Sequence, residues 1–191
     1  MNKKVRDSAS NKNLNKSIVL LTAAMSVFFF AFVFNSPLVM ALDAAGEIYR
    51  DKNNFFSFRQ PADWLKKEIT EDTLSHINFT SPDGRANFAV IGQFGDGDLN
   101  DLFFRKKEYM EDFNRRFPGS KFSLDWDELA GRQVIKTYLE IPGVLKQVGY
   151  YFYDQGVVFD LVYGAGDAED FQKYEQTALD AFVSVRRQKP G

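Results

Sequence analysis

From Lys121 to Gly164 the chain runs through four stretches of alternating apolar and polar side chains. They are Lys121 to Leu129, Arg132 to Ile141, Leu145 to Asp154 and Val157 to Gly164, separated only by Ala130-Gly131, Pro142-Gly143 and Gln155-Gly156. Alternation with period two marks strands that present one face to a core. Connections this short join only antiparallel neighbours, because a parallel crossover needs a dozen residues or more. The pattern therefore predicts a four-stranded meander. Gly164-Ala165-Gly166 lacks the third glycine of a dinucleotide fingerprint and follows an antiparallel strand, so it reads as a loop.

The rest of the chain extends this sheet. Ile48-Tyr49 and Phe56-Ser57-Phe58 read as short strands around Lys52-Asn53-Asn54, and Pro61-Ala62-Asp63 bends the chain into a strand from Trp64 to Ile69. Leu74 to Phe79 and Asn87 to Phe94 form a hairpin about the turn signal Pro82-Asp83-Gly84. Asp98 caps a helix from Leu99 to Phe117, with Leu99, Leu102, Phe103, Met110, Phe113 and Phe117 on one side and charged residues over most of the remainder. Pro118-Gly119 ends it. A second helix begins near Asp167 and buries Phe171, Tyr174, Ala178, Ala181 and Phe182, and the tail from Arg186 to Gly191 is expected to be loose. The fold class is thus α+β, an antiparallel sheet of about seven to nine strands covered by two main helices.

Ahead of this domain lies a different kind of segment. Lys3, Lys4, Arg6, Lys12 and Lys16 precede a stretch from Ser17 to Leu42 without a charged side chain. A basic start followed by an apolar run is the layout of an export signal, and the lysines hold the N-terminus inside while the remainder crosses. Ile18 to Phe34 also reaches the roughly 17 residues that can span a bilayer, so a retained anchor is the alternative. Val39-Met40-Ala41 supplies the small residues of a cleavage site, which gives cleavage between Ala41 and Leu42. The expected organisation is a signal peptide or membrane anchor over 1–41, one domain over 45–187 and a flexible tail over 188–191. The domain is expected outside the cytoplasm: in a periplasm, in a thylakoid lumen, outside the cell, or anchored by an uncut N-terminal helix that touches the membrane.

Removing residues 1–41 takes five basic and one acidic side chain from totals of 24 and 26, leaving a formal charge of −6. An acidic body without a basic stripe excludes a nucleic-acid partner. The chain has no cysteine, so disulfides, thiolate metal sites and a cysteine-linked lipid are all excluded.

Few residues suggest chemistry. The only histidine, His76, sits in an alternating strand and is expected to face solvent or a sheet edge. Asp96, Asp98 and Asn100 begin with the alternate oxygen ligands of a calcium loop, but Asp101 stands where that loop needs glycine and Lys107 where it needs glutamate. Asp96, Asp98 and Asp101 stay as candidate ligands of an irregular divalent-cation site, with helix capping as the alternative; no other cofactor is expected. Asp125 and Asp127 share one strand face while Trp126 and Glu128 share the other; a carboxylate pair would suit a glycosidase-type hydrolase, and a solvated strand face is the plainer reading. Tyr151 and Tyr153 lie on the face opposite Tyr150 and Phe152. With Trp126 they are the candidate partner-contacting residues, cross-strand packing being the alternative. Such an aromatic sheet would also suit a carrier of a small apolar ligand.

Tyr49 followed by Phe56-x-Phe58-x-x-Pro61-x-x-Trp64, a helix after the first meander, a run of hairpins and a final helix ending near Phe182 together resemble the PsbP-like superfamily. That group includes the photosystem II extrinsic subunit PsbP and DcrB-like envelope proteins. The resemblance covers Ala45 to Arg187. It implies a PsbP-like α/β/α sandwich and a non-enzymatic accessory or assembly domain whose partner is an envelope or membrane protein complex.

Overall fold

The computed structural model describes residues 46–188, except 72, 96 and 97. Ten strands and two helices follow in the order β1 (Ile48–Arg50), β2 (Phe56–Arg59), β3 (Leu65–Glu71), β4 (Leu74–Thr80), β5 (Ala86–Phe94), α1 (Leu99–Arg116), β6 (Lys121–Leu129), β7 (Arg132–Ile141), β8 (Leu145–Asp154), β9 (Val157–Ala165), α2 (Ala168–Val183) and β10 (Arg186–Arg187). Seven strands form one antiparallel sheet in the order β3-β4-β5-β9-β8-β7-β6, and a second sheet has the order β1-β2-β10.

The meander forms as its spacing dictates. Ala130 and Gly131 have φ of 53° and 77°, and Gln155 and Gly156 have 47° and 82°. Two consecutive positive φ values make a turn whose twist matches that of the strands it joins, and glycine at the second place carries no Cβ to strain it. The β7–β8 connection is one residue longer than the pattern suggests, with Val144 N–H donating to Ile141 C=O across Pro142-Gly143 at 3.0 Å.

Between β5 in the middle of the sheet and β6 at its edge lie four strand spacings, about 19 Å. Eighteen helical residues rise about 27 Å, so α1 carries the chain obliquely across one face to the far edge. The meander then returns until β9 pairs with β5, from Ala86 opposite Ala165 to Phe94 opposite Val157.

The opposite face holds the main core. Phe79 and Phe88 oppose one another across β4 and β5 and stack at 4.8 Å, and Phe152 and Phe159 do the same across β8 and β9 at 4.6 Å. Onto them pack Phe171, Ala178, Ala181 and Phe182 of α2, with Tyr49, Phe56 and Phe58 of the small sheet and Trp64. Truncating a fully buried phenylalanine costs about 3–5 kcal/mol, so this face dominates stability. Asp167 caps α2 by accepting the Asp170 N–H at 2.8 Å.

The end of the domain differs from the expected loose tail. Arg186 and Arg187 pair with Ser57 and Phe56, and Gln188 N–H donates to Phe55 C=O at 3.1 Å. The Arg187 guanidinium also donates to the Asn54 and Phe55 carbonyls. The side of β2 that β1 leaves open supplies backbone partners that a charged tail sequence does not advertise.

Candidate functional site

Helix α1 is held more lightly than α2: Lys106, Met110 and Phe113 are its buried residues among those described. The positions 99, 103, 106, 110, 113 and 117 recur at helical spacing, and Lys106 falls in the middle of that stripe. Its side chain is only 8% exposed. The ammonium stands 3.5 Å from the centre of the Tyr151 ring and 4.0 Å from the Asp160 carboxylate.

Tyr151 and Asp160 are directly opposite one another on β8 and β9, so both rise toward α1. The Tyr151 hydroxyl donates to Asp160 and accepts from Thr137. Gly149, two residues before Tyr151 on the same face, lies opposite Thr137. A Cβ there would stand 2.7 Å from Thr137 Oγ1 and 3.0 Å from both Cε2 and the hydroxyl of Tyr151. The glycine is what lets the tyrosine lie back along the strand and reach Thr137.

Burial raises the Tyr151 hydroxyl well above the usual phenol range, and the Asp160 charge adds to that. Burial likewise pushes the Lys106 ammonium down to about 8, against the pull of Asp160. A desolvated ammonium and a carboxylate held this way, with a phenol between them, form a buried group of zero net charge.

The same cross-strand row runs through Ile69, His76, Ile91, Asp160, Tyr151, Ile135 and Trp126, one residue from each strand. His76 is therefore inside and not at solvent or a sheet edge. It is 7% exposed, and its imidazole is pushed down to about 4, first by burial and then by the Lys67 charge. Asn78, the acceptor of an Asn78-Phe79-Thr80 sequon, is buried on this face too.

At the β6 end of the row the network gives way to surface. Trp126 stacks on Phe103 of α1 at 5.0 Å and 6° between planes, and Phe103 meets Phe104 edge to face at 6.0 Å. Trp126 is 37% and Phe104 62% exposed. Three rings thus run unbroken from the sheet edge over the helix.

The acidic residues around Trp126 act on the backbone. Asp125 accepts the Trp126 N–H at 3.2 Å, and Asp127 accepts the Glu128 N–H at 2.8 Å while pairing with Lys136 at 3.1 Å. The candidate partner residues divide: Trp126 lies at the surface and Tyr153 is half-buried, but Tyr151 is 4% exposed beneath Lys106. Of the candidate cation ligands, Asp98 caps α1 by accepting the Asn100 N–H at 2.9 Å and Asp101 pairs with Arg105. Asp96, together with Ala41 and Leu42 at the expected cleavage point, lies outside the described residues. Among the described residues no three carboxylate or imidazole side chains converge as a metal site would need. Lys106 and Asp160 went unnoticed in the sequence, although a lysine seven residues after Leu99 and four before Met110 breaks an otherwise apolar stripe.

No protein-family model and no curated protein matches the chain. Solved structures do. A crystal structure from Bacteroides thetaiotaomicron VPI-5482 superposes with a TM-score of 0.54 at 15% identity, over 76% of this chain and 50% of that one. The solution structure of cyanobacterial PsbP (CyanoP) from Synechocystis sp. PCC 6803 superposes with a TM-score of 0.53 at 12% identity, over 80% of this chain and 98% of that one. The chain spans about half the length of the Bacteroides protein and nearly all of CyanoP. At these identities the likeness is one of fold, and the fold is PsbP-like.

Proposed function

We propose that this chain is a non-enzymatic accessory domain that docks a protein partner through the ring group of Trp126, Phe103 and Phe104. The observation that carries the reading is the exposure of that group: Phe104 at 62% beside Trp126 at 37%. Tryptophan and phenylalanine are over-represented at the centres of protein interfaces, where desolvation gives a flat ring its largest return. The PsbP-like fold favours an accessory role, and the polar groups of the interior favour binding over chemistry, since Lys106, Asp160 and Tyr151 are engaged with one another. The N-terminal segment would deliver the domain to the outer side of a membrane, where an envelope or membrane protein complex is the expected partner. Among the described residues no helix is long and apolar enough to cross a membrane.

The test is crosslinking in envelope fractions of the native host, comparing the wild type with a W126A/F104A variant. One partner should be recovered with the wild type and lost with the variant, while both proteins melt alike. Equal recovery by the two would refute the reading. The chain has two tryptophans and Trp64 is buried, so the emission of Trp126 should also shift when the purified partner is added.

A further inference from the structure

The far edge of the large sheet is β6, and it is guarded unevenly. The two-residue turn after Leu129 makes Leu129 and Arg132 a hydrogen-bonded pair, so Leu129, Asp127, Asp125, Ser123 and Lys121 bond to β7. The N–H groups of Phe122, Leu124, Trp126 and Glu128 then point away from the sheet. Those of Trp126 and Glu128 are taken by Asp125 and Asp127, a device that stops another strand from adding there. Among the described residues the N–H groups of Phe122 and Leu124 have no such cover.

We propose that this open half of β6 pairs antiparallel with the same segment of a second copy of the chain, about a two-fold axis at Ser123. In that register Phe122 lies opposite Leu124 of the other copy, so both uncovered N–H groups and their carbonyls bond across the join. Lys121 falls opposite Asp125 and Asp125 opposite Lys121, placing an ion pair at each end. Registers centred on 122 or 124 lose this match: one sets Lys121 opposite Ser123, and the other sets Trp126, whose N–H is already taken, opposite Phe122. Lys121 is 70% exposed and bridges Glu140 at 3.0 Å, so a second carboxylate completes a three-membered network. An axis normal to the sheet leaves both ring groups on the same side of the joined sheet.

Ser123 meets its own copy at a non-hydrogen-bonded position, where Cα atoms approach to about 4.5 Å, within disulfide range. The chain has no cysteine of its own. Full-length S123C, kept in the cellular fraction where the native chain resides, is oxidised with copper(II)–phenanthroline, so that two thiols give one disulfide, two protons pass to water and two electrons reduce two copper(II) ions to copper(I). A covalent dimer is expected. D127C is the control, because its two copies would lie eight residues apart along the strands, about 27 Å. In the S123C background, K121D or D125K should lower the dimer yield several-fold, and K121D/D125K should restore it. Failure of S123C to crosslink, equal crosslinking by D127C, or no restoration by the double swap would each overturn the proposal. The assay needs no partner protein, so its failure would leave the accessory reading standing.

Discussion

Replacing Gly149 with alanine probes the space on which the buried network depends. The added Cβ would lie 2.7 Å from Thr137 Oγ1 and 3.0 Å from the edge and hydroxyl of Tyr151. Both neighbours are buried, at 5% and 4% exposure, so neither can swing into solvent. Forcing a methyl into packed surroundings costs about 1–3 kcal/mol. If the ring shifts far enough to lose Thr137, a buried hydroxyl gives up a partner for about another 1–3 kcal/mol. Alanine in mid-strand returns about 0.5–1 kcal/mol, because glycine loses more freedom on folding. The net expectation is a destabilisation of about 2–4 kcal/mol, read as a lower urea midpoint at unchanged slope.

The identity of the nearest atom gives a sharper check. T137A removes the oxygen that the new Cβ would strike and lets the tyrosine edge move toward the vacated position. In that background G149A should cost less than about 1 kcal/mol, a coupling of the size seen between touching residues. A G149A protein within about 0.5 kcal/mol of wild type, a change ordinary for surface sites, would refute the reasoning. So would a cost that is the same with and without Thr137.

The Lys106 ammonium titrates at about 8 in the folded chain, below the ordinary value of about 10.4. Between those values the unfolded state holds more protons, so stability should rise with pH there, until Tyr151, whose shift is upward, opposes it above about pH 10. A thermal midpoint that climbs from neutral pH into this window in wild type and stays flat in K106M is the expected result; parallel profiles would sink it. At neutral pH, K106M leaves the Asp160 carboxylate buried without its cation, a loss of about 3–5 kcal/mol, and K106M/D160N should be more stable than K106M alone by chemical denaturation. Asp83 accepts from Lys173 and the Tyr174 hydroxyl at 2.8 and 2.7 Å, tying the β4–β5 turn to α2. Although partial burial works the other way, these bonds and those from Ser81 and the Arg85 N–H hold its carboxyl well below the usual carboxylate range. Their contribution should therefore be present above about pH 4 and fade as pH falls below it. D83N should lower the midpoint at pH 7 and narrow its difference from wild type in acid.

Much of the fold was legible because it rests on local pattern. Turn residues and alternation placed the four strands of the meander almost to the residue, and the caps Asp98 and Asp167 placed both helices. The interior under α1 was less legible for a physical reason. A period-two pattern says that Tyr151 and Tyr153 share a face, but whether that face meets solvent depends on which helix crosses it. The crossing of α1 follows from the pairing of β5 with β9, between residues some seventy positions apart. The same long-range pairing took His76 inside and seated Asp160 beneath Lys106. A lysine in an apolar stripe reads locally as a flaw in the stripe; only the carboxylate brought by a distant strand makes it a network.

Asp125 and Asp127 show the same dependence on where a strand lies in the sheet. Their alternation around Trp126 places two carboxylates on one strand face, which reads most plainly as a solvated surface and otherwise as a hydrolase pair. Neither reading contains the distinction the structure draws, because spacing along a strand is blind to the strand's place in the sheet. In a central strand each outward N–H meets a neighbouring chain, and an aspartate preceding it has no backbone task. In β6 that N–H faces open space, and an aspartate one residue earlier can turn back to take it. The two carboxylates thereby serve the β6 edge. The protection covers Trp126 and Glu128 and stops before Leu124, and the chain beyond that point is Lys121-Phe122-Ser123-Leu124. A strand guarded at one end and open at the other limits both where a second strand can join and how far it can extend.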